Sequence, residues 1–376
     1  MNKEFIFGKT VTGENFIARE EDIRKLKMHF QSGVNTILSS PRRWGKTSLV
    51  RRVKQELDSD KLRVVYLDIF SCRDEYEFYN LFAEEVLKSC SSKFEEWMNV
   101  ATEFFTRITP KISFSAEPSQ EYSVALGINA KTHTPEEVLN LPEIIALKKE
   151  IQIVICIDEF QQIGEFPNAT TVLKRMRTAW QHHTRTSYCL FGSKKHLMDE
   201  LFQRKNQAFY KFGGHFHLQL IPTEPWVEYI CKQFKGAGKS ISKELAASIC
   251  ATVENHSSYV QQLSWITFVD TKDVVTPEIL ECAKQTLLDE NSALFTQQIA
   301  SLSSYQINFL RAILDDVHNN FGVANVRETY RLGSSSNIAI LKKAMINKEI
   351  IEQRKDGYYF VDPVLKIWLR KILPMR

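Results

Sequence analysis

The sequence predicts an α/β fold with a parallel sheet, followed by a helical region and a C-terminal winged helix-turn-helix. Three observations carry this. From residue 35 to about 220, short apolar runs alternate with helical patterns, as a sheet covered on both faces requires. From Pro222 the apolar spacing becomes helical throughout. Near the C-terminus, two helical segments flank Arg331-Leu332-Gly333-Ser334 and precede two short β segments around Lys355-Asp356-Gly357. That is the order of a helix-turn-helix with a wing.

The chain of 376 residues has room for two or three domains. The expected division is a core over 1–221 with a hairpin inserted at about 106–130, a helical domain over 222–295, and a winged helix over 296–376. The five expected strands are 34–38, 63–68, 152–158, 187–193 and 216–220. In the hairpin, Ile108, Ile112, Phe114 and Ala116 form one apolar set and Tyr122, Val124, Leu126 and Ile128 the other, with Glu117-Pro118-Ser119-Gln120 as the turn. The helical domain is expected to hold helices at 223–234, 242–254, 258–269 and 277–289, broken at Gly236-Ala237-Gly238 and Asn255-His256-Ser257. The winged helix has helices at 323–330 and 335–348 and wing strands at 350–353 and 358–361.

Composition excludes several classes. Net charge is +4, so the chain is no polycation. The excess is local: 12 Lys/Arg against 7 Asp/Glu from Ser301 to Arg376, which fits either a nucleic-acid contact or solvated helix faces. The seven cysteines are scattered and form no C-x-x-C pair, which argues against a zinc site or a disulfide frame. No apolar run reaches the ~18–20 residues that span a bilayer, and Met1-Asn2-Lys3-Glu4 does not precede a signal-peptide core. A cytoplasmic protein without a membrane partner is expected.

The most informative stretch is Ser40-Pro41-Arg42-Arg43-Trp44-Gly45-Lys46-Thr47-Ser48, between the first strand and a helix. It follows the phosphate-loop pattern G-x-x-x-x-G-K-[ST] with Ser40 in place of the first glycine. Gly45 lets backbone approach a triphosphate, and the helix that follows aims free N–H groups at it. Lys46 supplies a point charge for the β and γ phosphates, and the Thr47 hydroxyl can hold Mg²⁺. Arg42 and Arg43 contact phosphate or pair with a carboxylate such as Asp68. If Ser40 takes the left-handed backbone of the glycine it replaces, the strain costs about 1–2 kcal/mol.

The third strand ends in Asp158-Glu159-Phe160-Gln161, at the sheet edge where open α/β folds bind ligands. Asp158 is the candidate partner of Thr47 for Mg²⁺, and Glu159 the candidate base that polarises an attacking water. The fourth strand ends in Gly192-Ser193. Ser193 either touches the γ-phosphate or water, or caps a helix.

Together these residues resemble a family. Residues 16–26, reading F-I-A-R-E-E-D-I-R-K-L, resemble the F-x-G-R-E motif of AAA+ and STAND-type ATPases. The loop S-P-R-R-W-G-K-T-S-L resembles the G-P-R-R-x-G-K-T-S-L of the archaeal-type P-loop ATPases, and D-E-F-Q is similar to their Walker B segment. Gly192-Ser193 with Leu197, Met198 and Phe202 resembles their sensor, Ala208-Phe209-Tyr210 their P-F-Y, Asn255-His256-Ser257-Ser258-Tyr259-Val260-Gln261 their lid G-H-P-Y-Y-x-Q, and Asp362-Pro363 with Trp368-Leu369 their winged-helix ending. The resemblance spans nearly the whole chain in order. It implies an AAA+-like P-loop NTPase core, a helical lid and a winged helix, related to origin-recognition initiators and STAND switches. It also implies ATP with Mg²⁺ at residues 40–48, with His256 in the lid motif that approaches the adenine. Ala18, Ser40, Asn255 and Ser257 depart from the family pattern, which has Gly, Gly, Gly and Pro there.

Related ATPases take an arginine from a neighbouring subunit to stabilise transition-state charge. Arg204, one helix after the sensor strand, is the candidate here, with Arg175, Arg177 and Arg185 as others. The expected function is a slow, ATP-driven switch hydrolysing ATP to ADP and phosphate. Its winged helix contacts double-stranded DNA or a protein partner through residues 335–348, Lys342, Lys343, Lys348, Arg354 and Lys355. Two alternatives are a DNA-binding regulator with a structural nucleotide site, and a signalling assembly that becomes a homo-oligomer when ATP is bound.

Overall fold

A computed structural model of the chain describes residues 5–11, 13–91, 111–113, 123–125 and 134–373. They fall into two units, Arg19–Gln219 and Met1–Ala18 with Leu220–Arg376. The described residues before Arg19 cluster with the helical unit.

The first unit holds, in chain order, α1 (Glu20–Gln31), β1 (Thr36–Ser39), α2 (Lys46–Leu57), β2 (Leu62–Asp68), α3 (Glu75–Cys90), β3 (Lys111–Ser113), β4 (Ser123–Ala125), α4 (Pro135–Lys149), β5 (Gln152–Asp158), a 3-10 turn (Phe160–Glu165), α5 (Ala169–Trp180), β6 (Thr186–Gly192), α6 (Lys195–Gln203) and β7 (Gly214–His217). Five strands make one sheet in the order β2-β5-β6-β1-β7, and every neighbouring pair is parallel. Helices on its faces explain why β1 and β6 are buried along their whole length. The fifth strand starts two residues and ends three residues earlier than expected. Gly214 pairs with Thr36 and His217 with Ser39, so β7 ends where β1 ends.

Local chemistry sets the helix starts. Asp74 Oδ1 accepts the Tyr76 and Glu77 amides at the head of α3, and Thr134 with Glu137 forms a capping box on α4. Glu143 of α4 takes the backbone amides of Thr184, Arg185 and Thr186 at the start of β6. Burial pushes its carboxyl up, but these donors outweigh it and hold it below the ordinary value. Trp180 stacks on Tyr188 at 4.1 Å in the core beneath the sheet. β3 and β4 pair antiparallel with Ile112 opposite Val124; the rest of the expected hairpin lies outside the described residues.

The second unit contains α7 (Thr223–Gly236), α8 (Lys243–Thr252), α9 (Ser257–Asp270), α10 (Pro277–Ala300), α11 (Ser304–Leu314), α12 (Ala324–Thr329), α13 (Ser335–Asn347), β8 (Ile351–Arg354), β9 (Gly357–Phe360) and α14 (Pro363–Ile372). Helices α11 to α13 and the antiparallel β8–β9 wing form the winged helix. One continuous apolar core runs from Trp226 of α7 through Leu287 and Phe295 of α10 to Leu369 of α14. Helix α10 passes unbroken through 295/296, where the sequence suggested a domain boundary. Two positions where the family pattern has glycine keep a left-handed backbone: Ala18 at φ 44° and Asn255 at φ 56°. No helix among the described residues is long and apolar enough to cross a membrane.

Candidate functional site

Strand β1 delivers the chain to the loop at Ser39, and α2 takes it away from Lys46. The left-handed residues of the loop are Arg43 at φ 63° and Gly45 at φ 97°; Ser40 is not one of them. The strain expected at Ser40 is therefore absent, and Arg43 carries it instead. Gly45 is the N-cap of α2 and offers no side chain to its first-turn amides, which suits that turn to an anion.

Lys46 is buried, and its Nζ donates to Ser40 O at 2.8 Å, Pro41 O at 2.9 Å and Ser40 Oγ at 3.3 Å. The serine thus puts an acceptor beside the lysine where the family pattern has no side chain. Arg42 and Arg43 are exposed, Trp44 is half-buried and Ser48 is buried in the first turn of α2. Arg19 clamps the loop from behind: Nη2 donates to Trp44 O at 2.9 Å and Nη1 to Gln219 O at 2.6 Å, with Asp22 as its counter-charge.

Asp158 stands at the C-terminal end of β5, in register with Asp68 of β2. Its Oδ2 accepts from Thr47 Oγ1 at 2.7 Å and from the Tyr66 hydroxyl at 2.9 Å, and its Oδ1 from the Glu159 amide at 2.9 Å. Burial raises the Asp158 pKa, against the pull of the Thr47 and Tyr66 hydrogen bonds. Tyr66 is pushed well above its ordinary value by burial and then by the charge of Asp158, so it stays a donor. A hydroxyl and a carboxylate meeting at 2.7 Å form an oxygen donor pair of the kind Mg²⁺ takes beside a phosphate.

Glu159 follows with a left-handed backbone at φ 56° and heads the 3-10 turn. Its Oε2 accepts from Ser193 Oγ at 2.8 Å and from Gln161 Nε2. Sheet order explains why Ser193 reaches it. Strand β6 lies between β1 and β5, and Gly192 is level with Ser39, so the next residue emerges between the loop and the acidic pair. The hydroxyl of Ser193 bonds a carboxylate, beyond the helix-capping role that was its alternative; the α6 N-cap is Lys194.

The structure thus gathers Ser40, Lys46, Thr47, Asp158, Glu159 and Ser193 at one edge of the sheet. The arginines differ. Arg175 pairs with Glu75 and Glu136, Arg177 lies over the Phe212 ring, and Arg185 sits at the start of β6, the opposite end of the sheet. Arg204 ends α6, is exposed, and pairs with Glu200 one turn back. His256 belongs to the second unit, where it is the buried N-cap of α9 and packs on Tyr259. On the winged helix, Lys342 Nζ lies over the Phe321 and Tyr358 rings at 5.3 and 4.7 Å, and Arg354 pairs with Glu352. Lys343, Lys348 and Lys355 are exposed.

Sequence reasoning assigned no role to Arg19 or Gln161, although both sit inside quoted motifs, and it missed Tyr66. Tyr66 matters because β2 neighbours β5, a fact of strand order that no local pattern carries.

Fold and site together define a P-loop ATPase domain joined to a winged helix. The chain belongs to the family of ATPase domains found predominantly in Archaea, whose profile matches residues 16–210; a probable winged helix domain matches residues 293–371. Among solved structures, the fold is similar to that of a Walker-type ATPase of Pyrococcus abyssi, with a TM-score of 0.69 at 17% identity over 98% of this chain and 100% of that one. It is also similar to the ORC2 protein of Aeropyrum pernix in its ADPNP–ADP complexes, with a TM-score of 0.57 at 14% identity over 96% of each chain. No curated protein sequence matches the chain.

Proposed function

We propose that the chain binds ATP with Mg²⁺ in the loop between β1 and α2, hydrolyses it slowly to ADP and phosphate, and works as a nucleotide-driven switch. The observation that carries this is the Thr47–Asp158 contact at 2.7 Å with the Ser193-tethered Glu159 beside it. The amides of the α2 first turn and Lys46 take the phosphates. Thr47 and Asp158 hold Mg²⁺, which when bound neutralises charge on the phosphate oxygens. Glu159 accepts the proton of the attacking water. Ser193 fixes the carboxylate that does so. Arg204 is the arginine best placed to act in a neighbouring copy, because an exposed pair one helical turn apart is weak and easily exchanged. ADP and ADPNP in the ORC2 structures support the nucleotide reading.

A second reading couples the switch to duplex DNA through α13. Its exposed start, Ser334 to Ser336, and exposed Lys343 favour it. The engagement of Lys342 with aromatic rings and of Arg354 with Glu352 favours a protein partner instead. ATPase measurement with and without DNA, comparing wild type with Glu159→Gln and Lys46→Ala, separates these. Binding without turnover is expected for Glu159→Gln and loss of both for Lys46→Ala. A wild type that does not bind ATP removes the proposal.

A further inference from the structure

We propose that Gln161 positions the Glu159 carboxylate, and that residue 192 is glycine because the Gln161 amide occupies the space of its Cβ. The inference rests on the reading of Glu159 as the water-activating base.

Gln161 is 3% exposed, so its amide has no freedom to reach solvent. Its Nε2 donates to Glu159 Oε2, the same oxygen that takes the Ser193 hydroxyl. A carboxylate only accepts, so the amide nitrogen must face it and the amide oxygen must face away. That oxygen, Gln161 Oε1, is buried and has no hydrogen-bond donor among the described residues. A buried carbonyl oxygen without a donor is a cost that stability alone would remove. Here it accompanies the orientation that serves Glu159.

The unpartnered oxygen points at Gly192. A Cβ built there would lie 1.7 Å from Gln161 Oε1 and 2.9 Å from its Cδ, with Met198 Sδ at 3.2 Å closing the other side. The backbone of Gly192 does not itself call for glycine, since its φ is not positive. Gly192 ends the buried strand β6, where a glycine often marks the close approach of another group. The approaching group is this amide. Adding a methyl at 192 must displace the end of the Gln161 side chain rather than backbone, which moves the donor off Glu159 and misplaces the carboxylate it holds.

The Gln161 amide and the hydroxyl and backbone N–H of Ser193 all converge on Oε2. Glu159 Oε1, which no donor among the described residues reaches, is left to accept the water proton. Gln161 is therefore a positioning residue that acts through Glu159. Sequence shows it only as the last letter of D-E-F-Q, and its dependence on residue 192 becomes visible only when β5 and β6 lie side by side.

The test uses the full-length chain with Gln161→Ala, Gly192→Ala and the double variant, each checked by thermal melting. The expected result is a fall in kcat of about 10–100-fold in each single variant, with KM and the affinity for a fluorescent ATP analogue within about twofold of wild type. The double variant is expected to match Gln161→Ala, because the methyl at 192 then meets no amide. Independently of turnover, the Gln161 side-chain amide resonance in an NMR spectrum is expected to shift on Glu159→Ala. An unchanged kcat in Gly192→Ala, a parallel loss of nucleotide affinity, or additive effects in the double variant would overturn the proposal. A wild type without ATPase activity shows up before any variant is compared, and refutes the proposed function instead.

Discussion

The Tyr259 hydroxyl donates to Asp362 Oδ2 at 2.6 Å, while Asp362 Oδ1 accepts the Val364 and Leu365 amides at 2.8 and 3.0 Å. One carboxylate thus caps α14 and holds α9, and it joins two motifs that lie 103 residues apart in the chain. The Trp368 indole N–H donates to Ser292 Oγ of α10, and Lys366 pairs with Glu254 beside α8. The winged helix ends on the lid helices, and the two share one apolar core.

Lid and winged helix should therefore fold together. A chain cut after residue 295 uncovers Leu287, Leu288 and Phe295, and it is expected to lose cooperative melting of the helical unit. Tyr259→Phe in the full chain should cost about 1 kcal/mol, the usual value of one hydrogen bond, read by urea denaturation. A truncated chain that still melts cooperatively in that unit contradicts the shared core.

Tyr66→Phe removes one of the two hydroxyl donors on Asp158 Oδ2 without emptying space in the core. The concentration of Mg²⁺ giving half-maximal ATP binding should rise by about tenfold, the scale of an outer-shell change at a metal site. Titration of Mg²⁺ against a fluorescent ATP analogue reads this, and an unchanged midpoint would mean that Thr47 and the Glu159 amide suffice to fix Asp158.

Ala18 holds a left-handed backbone at φ 44° with a methyl group attached. Ala18→Gly should raise stability by about 0.5–1 kcal/mol, the relief of strain less the flexibility glycine brings to the unfolded chain. A thermal melt is expected to move up by about 1–4 °C. A downward shift would show that the methyl contributes more by packing than it costs in strain.

His183 gives the pH dependence. Asn140 Nδ2 donates to Glu136 O, which turns Asn140 Oδ1 toward His183 Nε2 at 3.0 Å and makes that nitrogen the donor. Nδ1 then accepts the Tyr188 hydroxyl at 2.9 Å, so the ring is held neutral. Burial lowers its pKa to about 4, against about 6.5 in an unfolded chain. Between these values the unfolded state binds the extra proton, so the contribution of His183 is full above pH 6.5 and is lost as pH falls toward 4. Melting temperature should fall more steeply across that window in wild type than in His183→Gln, and equal slopes would refute the assignment.

Much of this molecule was legible in its sequence, for identifiable reasons. Strand β5 was read at its observed bounds because an unbroken apolar run ends abruptly at Asp158. The loop was read despite Ser40, because Gly45, Lys46 and Thr47 carry its chemistry. Helix α10 was read too short: Glu290-Asn291-Ser292 looks like a polar break, yet Leu288 and Phe295 keep the helical spacing and are buried across it. Tyr66 and Gln161 depend on which strands are neighbours. Lys342 was correctly seen as a cation, but the rings that hold it come from Phe321 before α12 and Tyr358 of β9.

The backbone at Ser40 bears on how such loops are recognised. A pattern spelled in residue types asks for a glycine at the start of the loop, where this chain needs none. The positive dihedrals fall three and five residues later, at Arg43 and Gly45. A search written in conformations, requiring a strand, left-handed residues and then a helix opening on Lys-Thr, would retrieve this loop without asking for the glycine that this chain lacks.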